Sequence, residues 1–254
     1  MGNRLKTGLI AGAYLAVATY LGGYLFKFTF FVITMIALYE YDKAVNNNKN
    51  HVYILNYLVT IAIFASNALE FNIDPFLVLA SYMVAAGVFY VIDSSIKLFD
   101  ISSTIFGFLY VVILMYHVVL LGDTIYIWAA YAVSFSADSF AYLVGIRYGK
   151  HKLSPKLSPK KSVEGVVGGL AGAIAVMVIL NIFLIKGPVS TVVLISIVGV
   201  LGSVFGDLVA SKIKREYNVK DYGNVLPGHG GMLDRFDSFL IVAPIVYYMT
   251  LYLL

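Results

Sequence analysis

Apolar runs near the ~20 residues that a helix needs to cross a bilayer recur from end to end of this chain, for instance over 101–121 and 166–185. Of the 254 residues, 60% are hydrophobic and only 13% charged, too little charge to cover the surface of a soluble domain of this size. A transmembrane β-barrel would alternate apolar and polar residues in segments of ~10, whereas these runs are continuous. The sequence therefore predicts an all-α polytopic integral membrane protein. It contains no cysteine, which excludes disulfides, thiolate nucleophiles and cysteine-ligated metals.

About nine transmembrane helices are predicted, over 7–25, 28–41, 51–66, 75–92, 101–121, 124–145, 166–185, 190–213 and 236–254. The second and third are the weakest, so the count ranges from eight to ten. Arg4 and Lys6 precede the first run as in a signal peptide, but no convincing small-residue cleavage site follows, and the run reads as a retained span. Lysine and arginine concentrate at the N-terminus and in every second loop, while the loops around EFNID and GDT carry none. By the positive-inside rule this places the N-terminus and both strongly basic loops in the cytoplasm. Two parts follow: 1–121 with about five helices, and 122–254 with about four helices and cytoplasmic loops at 146–165 and 212–235. There is no soluble domain, no evident internal repeat and no nucleic-acid-binding pattern.

The segment SKIKREYNVKDYGNVLPGHGGMLDRFD, residues 211–237, concentrates the chemistry. Asp207, Ser211 and either Lys214 or Arg215 follow at helical spacing and form one polar stripe. Asp207 lies inside an apolar run, where an acid usually faces a cavity, a partner or an ion; the plain alternative is a buried pair with a lysine. Asp138 is a similar intramembrane acid, for which an interhelical hydrogen bond is an even alternative. Gly223, Pro227, Gly228, Gly230 and Gly231 break any helix, and glycines let backbone amides approach an anion. Asp234 and Asp237 are three apart and would share a helix face. Together with Asp221 they suit Mg²⁺, a hard cation with oxygen ligands, although acids at a helix start also complement its dipole. His229 reads equally as a proton carrier, a phosphate donor or a structural hydrogen bonder.

Ser211, Lys214-Arg215, Lys220-Asp221, Gly223, the 226–231 turn and Asp234-Arg235-Phe236-Asp237 resemble, without gaps, the signature of the phosphatidate cytidylyltransferase (CDP-diacylglycerol synthase) family. The resemblance extends upstream through Asp138 to Tyr142, Ser154-Pro155, Ser158 to Ser162, Glu164-Gly165, Gly168-Gly169 and Gly206-Asp207, about the C-terminal half. The N-terminal half matches only in hydropathy, with Arg4, Lys6 and an acidic Glu40 closing the second span. The resemblance implies transfer of a cytidylyl group from CTP to phosphatidic acid, releasing pyrophosphate, at the inner (cytoplasmic) membrane with the site facing the cytoplasm. It implies one or two Mg²⁺ ions held by Asp221, Asp234 and Asp237. Lys214, Arg215, Lys220 and Arg235 would hold phosphates, while His229, Gly230 and Gly231 shape the nucleotide pocket.

The other basic loop, SPKLSPKKSVEG, carries Ser158, Lys160, Lys161, Ser162 and Glu164, and its prolines hold it extended. It reads as an anionic-lipid-facing loop, each cation worth ~1 kcal/mol near such a surface. It also reads as a clamp on triphosphate or lipid phosphate, which the resemblance favours. A related activity on an archaeal diether lipid or a polyprenyl phosphate stays open. An ion-coupled transporter using Asp138 and Asp207 would leave the glycine turn unexplained and lacks an inverted repeat. The spaced aspartates of CDP-alcohol phosphotransferases are absent. A homodimer and a self-contained site fit equally well.

Overall fold

The computed structural model describes residues 2–45, 52–71, 73–226, 228 and 230–254, with side chains from residue 8 onward. It is an all-α membrane protein. Six of its helices are long and apolar enough to cross a bilayer, and Gly8–Leu21, Tyr53–Ala68 and Phe239–Leu253 are shorter apolar helices. Among the described residues each predicted span has a helical counterpart. The chain divides into two compact units, one of Met1–Val119 with Asp221–Asp234, the other of Leu120–Lys220 with Arg235–Leu254.

The first unit begins with α1 (Gly2–Leu21) and α2 (Gly23–Val45), followed by α3 (Tyr53–Ala68), α4 (Pro75–Ile92) and α5 (Leu98–Gly107). A wider π segment, Phe108–Ile113, carries α5 into α6 (Leu114–Gly122). The helix starts follow local chemistry. Asp74 accepts the Phe76 amide at 2.9 Å with Pro75 in the first turn of α4, and Asp100 accepts the Lys97 amide at 2.8 Å at the start of α5, each replacing an amide partner that a helix start lacks. Buried Asn56 donates to the Thr104 carbonyl (3.0 Å) and accepts from the Tyr82 hydroxyl (2.7 Å), tying α3 to α5 and α4. Helix α2 corrects the expected short span of 28–41. It runs on through Glu40 and Asp42, which are 1% and 0% exposed, because this end of the helix is packed inside the unit.

The second unit contains α7 (Ile127–Tyr148), α8 (Val163–Leu180, continued by a π segment to Ile185), α9 (Val189–Glu216) and α11 (Phe239–Leu253). Helices α7 and α8 approach backbone to backbone. A Cβ at Gly169 would lie 2.7 Å from the Ala137 carbonyl, so only glycine fits, as at close crossings in lipid. The basic loop is not simply extended. Strands β1 (Lys152–Ser154) and β2 (Ser158–Ser162) pair antiparallel as a hairpin, because backbone groups beside a membrane gain partners by pairing.

Candidate functional site

The glycine turn of the first unit is organised around two carboxylates. Glu40 on α2 accepts the Met232 amide at 3.0 Å and the Leu233 amide at 2.8 Å. Asp234 accepts the Tyr222 amide at 2.8 Å and the Gly231 amide at 3.1 Å through one oxygen, Oδ2. Gly231 must lack a Cβ, since one would sit 2.6 Å from Glu40 Oε2; Gly223 meets the same carboxylate. The Leu226 amide donates to the Gly230 carbonyl at 3.1 Å, and Gly230 takes φ +84° to close the turn. Asp221 and Asp234 both face the space beside Gly230, 3.6 and 3.4 Å from where its Cβ would be. Asp221 is exposed and Asp234 only 8% so. His229 lies outside the described residues.

In the second unit the intramembrane acids meet cations and hydroxyls. Lys161 on β2 forms an ion pair with Asp207 on α9, and the Ser211 hydroxyl lies 3.4 Å from the same carboxylate. The Ser238 hydroxyl donates to Asp138 at 3.2 Å. Asp237 precedes α11 and is partly exposed. The short helix α10 (Leu233–Phe236) carries Asp234 and ends at the residue before Asp237, which lies in the turn that follows. The Ser238 amide donates to Asp237 at 2.8 Å and its hydroxyl to Asp138. Gly206 lets α9 come close to this turn, since a Cβ there would lie 2.6 Å from the Asp237 carbonyl.

Beside these groups lies a cavity of about 680 Å³. Asp138, Lys152, Lys160, Lys161, Ser162 and Ser203 give it a polar, mostly cationic lining, and Tyr142, Ile146, Val166, Val200 and Val204 give it apolar walls. Ser162 also caps α8 by accepting the Gly165 amide at 3.1 Å. Glu164 does not line the cavity. It fastens the hairpin base, accepting the Lys150 and His151 amides at 3.1 and 3.2 Å and pairing with the His151 ring. Ser158 opens β2 away from the lining. Lys214 and Arg215 occupy the last turn of α9, where cations complement the helix dipole; Arg215, Lys220 and Arg235 are exposed.

Among the described residues no three His, Asp or Glu side chains are grouped to hold a metal ion. Mg²⁺ needs no such cage, because one or two carboxylates with phosphates and waters suffice. The paired orientation of Asp221 and Asp234 fits that smaller requirement.

Two residues here were not singled out in the sequence as site residues, Glu40 and Ser203, and Lys152 was read only as one of the cations of the basic loop. Glu40 could have been found by the argument applied to Asp138 and Asp207, because it too is an acid at the end of an apolar run. Lys152 stood in the basic loop without distinction, and nothing in the sequence marked Ser203.

Residues 2–253 match the sequence pattern of the cytidylyltransferase family. The chain belongs to the cytidylyltransferase family. It is similar to the phosphatidate cytidylyltransferase of Bacillus subtilis (strain 168), 43% identical over 129 residues, which are 49% of this chain and 46% of that protein. The phosphatidate cytidylyltransferase of Staphylococcus epidermidis is 36% identical over 172 residues, 67% of this chain and 64% of that protein. That of Thermotoga maritima is 41% identical over 121 residues, 43% of each chain. The chain thus matches between 43% and 64% of the length of these curated relatives.

Proposed function

We propose that this protein transfers the cytidylyl group of CTP to phosphatidic acid, giving CDP-diacylglycerol and pyrophosphate for phospholipid synthesis, at the cytoplasmic face of the cell's inner membrane. The observation that carries the reading is the two-sided lining of the second unit's cavity. Lys152, Lys160 and Lys161 suit a phosphomonoester, while Ile146, Val166, Val200 and Val204 suit acyl chain. Family membership and the names of the similar proteins point to the same substrates.

A phosphate oxygen of phosphatidic acid attacks the α-phosphorus of CTP. The bond from the α-phosphorus to the bridging oxygen breaks, and its electron pair leaves with pyrophosphate. A phosphomonoester dianion is already a nucleophile, so no general base is required. The difficulty is the approach of two polyanions, which fixed cations ease electrostatically. Lys160 and Lys161 hold the lipid phosphate, with Asp207 and Ser211 fixing Lys161, and Ser162 and Asp138 complete the polar end. Lys214, Arg215, Lys220 and Arg235 supply positive charge to the nucleotide phosphates. Asp221 and Asp234 would hold Mg²⁺, which when bound would neutralise charge on the leaving pyrophosphate. His229, Gly230 and Gly231 belong to the nucleotide side.

The test is purified protein in detergent with phosphatidic acid, Mg²⁺ and CTP labelled at the α-phosphate. Label should enter the lipid phase, and ATP should not substitute. Transfer only to a diether or polyprenyl phosphate would keep the chemistry and replace the substrate; no transfer to any lipid phosphate would refute the reading.

A further inference from the structure

The glycine turn looked from sequence like a cradle whose amides await a ligand anion. Four of those amides are instead occupied by the protein's own carboxylates: Met232 and Leu233 by Glu40, Tyr222 and Gly231 by Asp234. Glu40 stands 192 residues from Met232 in the chain and is 1% exposed, so it cannot itself meet substrate. It reaches the turn only because Gly223 and Gly231 lack side chains. A buried carboxylate that accepts two amides orients the segment carrying them more firmly than a neutral acceptor would. That segment places Asp234 and Gly230, with Asp221 facing the same space.

We infer that Glu40 is a positioning residue: it acts as an internal anion that fixes the 230–233 turn, and through it the carboxylates of Asp221 and Asp234, in the arrangement that serves the nucleotide. The inference rests on the cytidylyl-transfer reading for its kinetic consequence, but not for its structural one. It makes the N-terminal unit part of the machinery, where the sequence resemblance went little beyond hydropathy and an acidic residue closing the second span. Gln at position 40 keeps the length and one accepting oxygen but turns an NH₂ group towards the other amide, so it retains part of the hold. Ala keeps none.

The experiment compares wild type, Glu40→Ala and Glu40→Gln by hydrogen–deuterium exchange without substrate and by steady-state kinetics. In Glu40→Ala, exchange of peptides covering 230–233 should accelerate at least about tenfold, the loss expected when amides bound to a charged acceptor are released. Peptides from α8 and α9 should be unchanged. The KM for CTP should rise about tenfold on the same grounds, while that for phosphatidic acid stays within about twofold. Glu40→Gln should lie between the two in both readouts, which covers the case in which the alanine variant fails to fold. Unchanged exchange at 230–233, or faster exchange with both KM values unaltered, would overturn the inference. If wild type transfers no label from CTP, the functional reading fails, and the exchange result alone decides for or against Glu40.

Discussion

The two units handle charge in opposite ways. In the first, Glu40 and Asp234 are turned onto backbone amides of their own chain, so the carboxylates shape a turn. In the second, Lys152, Lys160 and Lys161 line a cavity, and Lys161 is steadied by the carboxylate of Asp207. Charged side chains thus shape a turn in one place and line a cavity in the other. Charge density along a sequence does not separate these cases; the partners of each group do.

The largest expected effect breaks the cavity side. Lys161→Ala removes a cation from the lining and takes from Asp207 its ion-pair partner. Label transfer to phosphatidic acid should fall by about 10²–10³, as for loss of one group stabilising transferring charge. A loss below threefold would place the lipid phosphate elsewhere. Asp234→Asn is next. It weakens two amide bonds and one candidate Mg²⁺ ligand, so activity should fall by about ten- to a hundredfold, with faster exchange at Tyr222 and Gly231; normal exchange would mean that the turn does not depend on that charge.

How much of this was legible beforehand differs between the regions. Helix positions followed directly from apolar run length, because lipid forces each spanning segment to satisfy its own backbone. The stripe from Asp207 to Ser211 followed from helical spacing and is present. Glu40 was seen only as the end of a span, since its partners lie 192 and 193 residues away and no local pattern announces them. The turn at Asp237 and Ser238 was not legible either, because the local sequence suits an unbroken helix. The hairpin at 152–162 was concealed by prolines that occupy its connection and strand.

Two smaller effects sharpen the comparison. Gly169→Ala would press a methyl group against the Ala137 carbonyl, 2.7 Å away, and should destabilise the second unit by about 1–3 kcal/mol, as overpacking does. Thermal unfolding in detergent would report it as a lower midpoint, and an unchanged midpoint would show that α7 and α8 can separate freely. Glu164→Gln should matter least. Glu164 holds the hairpin base from outside the cavity, at an exposed histidine, and pairs of that kind contribute little. Its activity should stay within about threefold of wild type; a larger loss would bring the hairpin base into the reaction.

The most direct test of the division of labour is a pair of KM measurements on Lys160→Ala and Asp221→Asn, each with CTP varied at saturating phosphatidic acid and the reverse. The account predicts that Lys160→Ala raises KM for phosphatidic acid and leaves that for CTP unchanged, while Asp221→Asn does the opposite. A rise in KM for CTP alone in Lys160→Ala would contradict it and hand the cavity to the nucleotide.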